Sequence, residues 1–301
     1  MIATALLQEG HGAPAHGAEG GAPDLGGTLM HHIVDAHEIE GPLGAVWHLP
    51  EWEPLHLGPL AVNLSPTKHV VFLLLAAVIC ALVFTLVGRT ARRRGLQEAP
   101  SGFANAIEAL VLYFRDEVVR KNIGKGADSY TSYILTLFFF ILTMNLLGLV
   151  PWGASATGNI SVTAALAIIS FVVVEVSGFR ALGPAGYART IFFVPQGIPG
   201  WMKPVMLLVM IPVEVVSKLT KPFALAVRLF ANMTAGHTLI FSLLGLIFIF
   251  AQLTFGKWAV AGASVTATTL MMVLELFVAF LQAYIFAMLT AVFIGMIRHA
   301  H

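Results

Sequence analysis

Apolar residues run almost unbroken over 68–88, 130–150, 160–179, 204–255 and 258–297, and short polar or charged segments separate the five stretches. A helix of about 20 apolar residues crosses a hydrocarbon core of about 30 Å, so the first three stretches predict single spans. Residues 103–120 follow another pattern. Phe103, Ile107, Leu110, Val111, Phe114 and Val118 recur at helical spacing on one stripe, with Glu108, Arg115 and Asp116 off it. That segment is too charged to span and predicts an amphipathic helix along the membrane interface.

The last two stretches exceed an ordinary span. As helices, the first would measure about 75 Å and the second about 60 Å at 1.5 Å per residue. Neither holds a polar turn that would split it, and Gly256-Lys257 is the only firm break between them. The pattern therefore predicts two long, strongly tilted helices forming a second hairpin, with Pro212 and Pro222 as bends. The fold class is an all-α polytopic membrane protein: one outer span, an interfacial amphipathic helix, a transmembrane hairpin, then the long pair. No internal repeat is visible, which argues against an inverted-repeat transporter.

Composition agrees with this class. Apolar residues make up 57% of the chain, charged residues 11%, and the mean hydropathy is +0.84. Charge is unevenly spread: residues 1–67 hold eight carboxylates and no Lys or Arg, whereas Arg89, Arg92, Arg93 and Arg94 follow the first apolar run. By the positive-inside rule the N-terminal tail, 1–67, lies outside, the membrane domain, 68–301, begins by crossing inward, and the C-terminus is cytoplasmic. The turn from Pro151 to Asn159 is then external, and the loop with Arg180 and Arg189 is cytoplasmic. Glu175, near that loop, reads as interfacial.

The first ~27 residues lack an apolar period and are expected to be disordered. Ile2 to Leu7 has neither a basic flank nor a full apolar region, which argues against a cleaved signal peptide. Seven of the eleven histidines fall in this tail, among them His31, His32 and His37, without tight ligand spacing, so a solvated tail is expected rather than a metal site. The single Cys80 excludes an intrachain disulfide framework.

Within the long stretches stand groups that lipid cannot solvate. A guanidinium near mid-membrane costs roughly 2.5 to 3.5 kcal/mol on insertion scales, so Arg228 must face a protein partner or a water-filled cavity. Folding back at Gly256-Lys257 puts residues equidistant from the turn at one depth. His237 lies 19 residues before Gly256 and Glu275 lies 18 after Lys257, so they are expected to pair. Arg228, 28 before, and Gln282, 25 after, form a second layer deeper in. Asn232 shares the Arg228 face one turn on, while His237 stands about 13 Å further along the axis. Toward the cytoplasm come Lys221 and Glu214, the latter placed for an i,i+4 pair with Lys218.

An imidazole and a carboxylic acid at one depth can exchange protons, whereas Arg228 never gives its proton up. Taken singly, Asn232 and Gln282 read as interhelical hydrogen-bonding groups, His237 as a packed histidine, and Glu214, Lys218 and Lys221 as interfacial snorkelers. Their convergence on one hairpin favours an ion path.

The run Lys221-Pro222-Phe223-Ala224-Leu225-Ala226-Val227-Arg228-Leu229-Phe230-Ala231-Asn232-Met233-Thr234-Ala235-Gly236-His237 resembles the signature of subunit a of F-type ATP synthases. Leu281-Gln282-Ala283-Tyr284-Ile285-Phe286 is similar to that family's last-helix motif. The resemblance extends over about 31–50 and from Lys68 to the C-terminus. It implies a stator subunit in a bacterial inner membrane, with two offset half-channels against the carboxylates of a rotating subunit c ring, a subunit b peripheral stalk, and nucleotide chemistry left to other subunits. Arg228 would face the ring with Asn232 and Gln282 beside it, His237 and Glu275 would line the outer half-channel, and Glu214 the cytoplasmic one. Many bacterial members carry the glutamate and histidine in the opposite order, an exchange that keeps one imidazole and one carboxylate together.

No phosphate-binding glycine loop is present, and no cofactor, nucleic acid or catalytic chemistry is expected of the chain itself. Two rival classes share the same residues. A self-contained transporter or channel would conduct without a ring, and an intramembrane metalloenzyme would need a ligand pattern such as H-E-x-x-H, which the spans lack. Protons are the default ion.

Overall fold

The computed structural model describes residues 38–40, 46–50, 52, 55–57, 60–62, 65–94, 102–150, 153–192, 199–250 and 256–299. The expectations for the first ~27 residues, for the segment from Ile2 to Leu7 and for His31, His32 and His37 lie outside these residues, as does Pro151-Trp152. The described chain is an all-α polytopic membrane protein. Among the described residues, five helices are long and apolar enough to cross a membrane.

Ahead of them the tail forms two short antiparallel ribbons that the sequence did not announce. β1 (Glu38–Glu40) pairs with β2 (Val46–His48), and β3 (Leu55–Leu57) with β4 (Leu60–Val62). Three-residue strands lie below the length at which alternation is readable.

Helix α1 (Lys68–Arg94) continues past the predicted end at 88 to include the arginine cluster. Little of it is buried. It leans on the next span through Cys80 and Phe84, whose ring meets the edge of Phe139 at 4.8 Å. Helix α2 (Phe103–Tyr113) carries the start of the amphipathic stripe but buries none of it. The stripe becomes buried only where the backbone widens into a π-helical segment over Phe114–Arg120, followed by α3 (Lys121–Ile123). Bonding at i+5 brings Phe114, Val118 and Val119 to one side together, more than a 3.6-residue period would. On the other side Asp116 takes Arg115 at 3.0 Å and Arg120 at 2.9 Å, and Arg120 also reaches Asp128 at 2.9 Å. The hydrogen bond from Arg115, with Arg120 beside it, holds the Asp116 carboxyl below the usual carboxylate range.

Helix α4 (Asp128–Leu149) is the central span, and α7 (Lys257–Arg298) packs along it. Phe138 sits against Phe114 at a centroid distance of 4.3 Å and Phe280 at 5.6 Å, in a core completed by Ile134, Ile141, Met144, Phe286 and Ile294. The expected external turn contains a 3₁₀ turn at Ala156–Gly158, and Asn159 caps α5 (Ile160–Ile191) by accepting the Ser161 N–H at 2.8 Å.

The cytoplasmic loop expected after Phe179 is instead helical. α5 runs on to Ile191, broken only at Gly183, whose φ of 70° lies in the left-handed region. Glycine permits that conformation and Pro184 starts the next turns with its φ already set, so the pair ends one helix and begins another. The chain reverses there. Tyr187 lies twelve residues after Glu175, which a straight helix would separate by about 18 Å, yet its hydroxyl hydrogen-bonds the Glu175 carboxylate.

Helix α6 (Lys203–Ile249) spans 47 residues and stays helical through both Pro212 and Pro222. The two prolines therefore do not divide it, and residues 251–255 lie outside the described chain.

Candidate functional site

The hairpin of α6 and α7 puts the predicted polar groups into two places and leaves one apart. His237 Nε2 lies 3.9 Å from Glu275 Oε1, close enough for charge to be felt but beyond hydrogen-bond length. Glu275 is only 4% exposed and fits there because residue 236 is glycine. A Cβ on Gly236 would sit 2.6 Å from Glu275 Oε1 and 3.0 Å from its Cδ. Sequence reasoning passed over Gly236; the Ala235-Gly236 pair of small residues inside a span was the available signal for close helix approach.

The pair opens onto a cavity of about 440 Å³ whose walls also include Lys68, His69, Thr234 and Thr268. His69, in the first turn of α1 and 4% exposed, was not singled out from the sequence. Nothing in its local pattern separates it from an interfacial histidine. Polar atoms crowd this cavity: His237 Nε2, both Glu275 oxygens, Thr234 Oγ1 and Thr268 Oγ1 are buried with no hydrogen-bond partner among the described residues. Buried polar atoms of this kind are ordinarily satisfied, and a cavity of this volume with several polar atoms facing it has room for waters to do so.

Deeper along the hairpin, Asn232 Nδ2 donates to Gln282 Oε1 at 2.9 Å. The layer expected to join Arg228 with Gln282 is therefore an Asn232–Gln282 layer. Counting from the turn explains the difference: Asn232 is 24 residues before Gly256 and Gln282 is 25 after Lys257, a closer match than Arg228 offers. Asn145 on α4 fixes the other side of α7, donating to the Ala279 carbonyl at 3.2 Å and accepting from Thr157 at 2.6 Å. All of that polar knot is buried, and it was not anticipated because its three members come from three segments.

Arg228 points away from this interior. It is exposed on α6 and makes no hydrogen bond or ion pair with a described residue. Around it stand Ser217, Thr220 and Lys221 as well as Ala224, Leu225, Leu289 and Phe293, and Phe223 and Val227 are exposed on the same helix.

A second cavity, about 160 Å³, lies on the opposite side of Arg228 along α6. Glu214, Lys218 and Lys221 line it from α6, and Glu175 and Thr190 from α5. The i,i+4 pair expected between Glu214 and Lys218 does not form. Lys218 Nζ crosses to Glu175 Oε2 at 3.2 Å, because α5 packs on α6 and brings a second carboxylate within its reach. Glu175 is thus part of a partly buried cluster with Lys218 and Tyr187.

Comparison with known proteins places residues 70–295 in the family described as ATP synthase A chain. The chain is 46% identical over 268 residues to the ATP synthase subunit a of Chloroherpeton thalassium, covering 89% of this chain and 75% of that protein. It is 45% identical over 298 residues to that of Anaeromyxobacter dehalogenans, covering 95% and 74%. With the subunit a of Myxococcus xanthus it shares 45% over 282 residues, covering 86% and 88%.

Proposed function

This chain belongs to the ATP synthase A chain family, and from that premise we propose that it is the stator of the rotary membrane sector, passing protons to and from the carboxylates of a subunit c ring through two offset half-channels. It is a multipass membrane protein and works as part of an ATP synthase complex, with a subunit b stalk holding it against rotation. The observation that carries the reading is the order of groups along α6: Thr234 and His237 line one cavity, Glu214, Lys218 and Lys221 line the other, and Arg228 lies between them.

A proton entering the larger cavity from the periplasm meets His237 and Glu275, whose proximity lets either group take it up and hand it on to a ring carboxylate. After rotation, the protonated site reaches the smaller cavity and releases its proton toward Glu214 and the cytoplasm. Arg228 supplies what neither cavity can. Its fixed charge attracts a carboxylate that has lost its proton, by about 4 kcal/mol at 4 Å and an effective dielectric of 20, and it relays no proton itself. A short circuit between the cavities is thereby opposed. The exposed apolar residues Phe223 and Val227 near Arg228 support contact with another hydrophobic helix, whose carboxylate would pair with the guanidinium. Arg89, Arg92 and the carboxylate-rich tail support the orientation, with the N-terminus outside.

Glu275→Gln keeps the shape and removes the titratable group. ATP-driven proton pumping in inverted vesicles is expected to fall by about 10²-fold, the lower end of what a positioned acid or base contributes, with subunit content unchanged. Pumping at the normal rate would remove Glu275 from the path. A chain acting as a transporter by itself would instead conduct after reconstitution without the ring.

A further inference from the structure

The smaller cavity holds two carboxylates and two ammonium groups, and only one pair of them is joined. Lys218 Nζ sits 3.2 Å from Glu175 Oε2 and 4.6 Å from the centre of the Tyr187 ring, while the Tyr187 hydroxyl donates to the same carboxylate. The reversal at Gly183-Pro184 is what returns Tyr187 to this point. Lys221 rests against the cavity wall, its Nζ 5.3 Å from the centre of the Phe293 ring. Glu214 makes no ion pair with a described residue, although Lys218 is one turn along its own helix and would reach it by the ordinary i,i+4 geometry. On α7 the cavity wall is Thr290, Phe293, Met296 and Ile297, none titratable.

We propose that Glu175 is a positioning residue: with Tyr187 it holds Lys218 across the gap between α5 and α6, keeping the ammonium off Glu214 and leaving that carboxylate open to proton transfer. This rests on the reading of Glu214 as a proton-passing group of the cytoplasmic half-channel. A lysine released onto Glu214 would compete with every proton that approaches it. Glu175 therefore acts on transport through Lys218 rather than by carrying the proton.

The two roles separate in a rescue experiment. ATP-driven proton pumping is measured in inverted vesicles containing the whole complex, with subunit content quantified, for Glu214→Gln, Glu175→Gln, Lys218→Met and the double variant Glu175→Gln/Lys218→Met. Glu175→Gln is expected to pump about tenfold more slowly, and the double variant to return to within about twofold of the unmodified complex, because the freed lysine is the inhibitor. Lys218→Met alone is the reference for the double variant, which should pump at the same rate because Glu175 has no further role once the lysine is gone.

Normal pumping by Glu175→Gln, or a double variant as slow as the single one, overturns the positioning role while a defect in Glu214→Gln leaves the half-channel standing. Normal pumping by Glu214→Gln overturns the half-channel reading and the inference with it. Should Glu175→Gln fail to assemble, the charge-neutral double variant decides alone: an assembled complex pumping tenfold below normal excludes the proposal.

Discussion

Arg228→Ala is expected to abolish ATP-driven proton pumping and to leave the complex assembled. Arg228 is exposed and makes no hydrogen bond or ion pair with any described residue, so its removal costs little folding energy. Its loss falls on transport. An attraction of about 4 kcal/mol for an unprotonated ring carboxylate corresponds to roughly a 10³-fold change in rate or occupancy. Vesicles should therefore contain normal amounts of every subunit and acidify at a background rate. Near-normal acidification would make Arg228 a structural residue and remove the basis for rotation coupled to transport.

The opposite signature is expected at Gly295. An added Cβ there would overlap the backbone carbonyl oxygen of Asn122 and come within 3.4 Å of the Ile123 Cα. Both neighbours are main chain and cannot rotate aside. The surrounding core is closed as well, with Ala291, Ile294 and Ile123 fully buried. Gly295→Val must then push α7 off α3 and the π-helical segment, at a cost of about 3 kcal/mol or more. The subunit should disappear from membranes, measured by immunoblot of its steady-state level, before any question of pumping arises. Gly262→Val is the control, since a Cβ at Gly262 meets nothing within 4 Å. Equal loss at both positions would mean that the Asn122 contact does not account for the effect.

Much of this fold is written in the apolar runs. The five long helices fall where the runs fall, and the turn at Gly256-Lys257 puts His237 beside Glu275 by simple counting. Elements that depend on contacts between distant segments were not legible. Lys218 offers an i,i+4 partner in Glu214, and only the packing of α5 on α6 supplies Glu175 as a competitor. Gly183-Pro184 reads equally well as a loop, and the structure uses it to fold a helical segment back on the cavity. The π-helical stretch hides in an amphipathic pattern, because one inserted residue per turn shifts the stripe without breaking its polarity. Asn145, Thr157 and His69 carry no local signal; each acquires its place from neighbours far away in sequence.

The central claim is that the two cavities open to opposite sides of the membrane with Arg228 between them. It is tested most directly by placing one cysteine in each, after Cys80→Ser removes the only native thiol. Thr234→Cys marks the larger cavity and Thr190→Cys the smaller. A membrane-impermeant thiol reagent is applied to right-side-out and to inverted vesicles carrying the assembled complex. The account predicts that Thr234→Cys is modified only from the periplasmic side and Thr190→Cys only from the cytoplasmic side. Modification of both from the same side would contradict it.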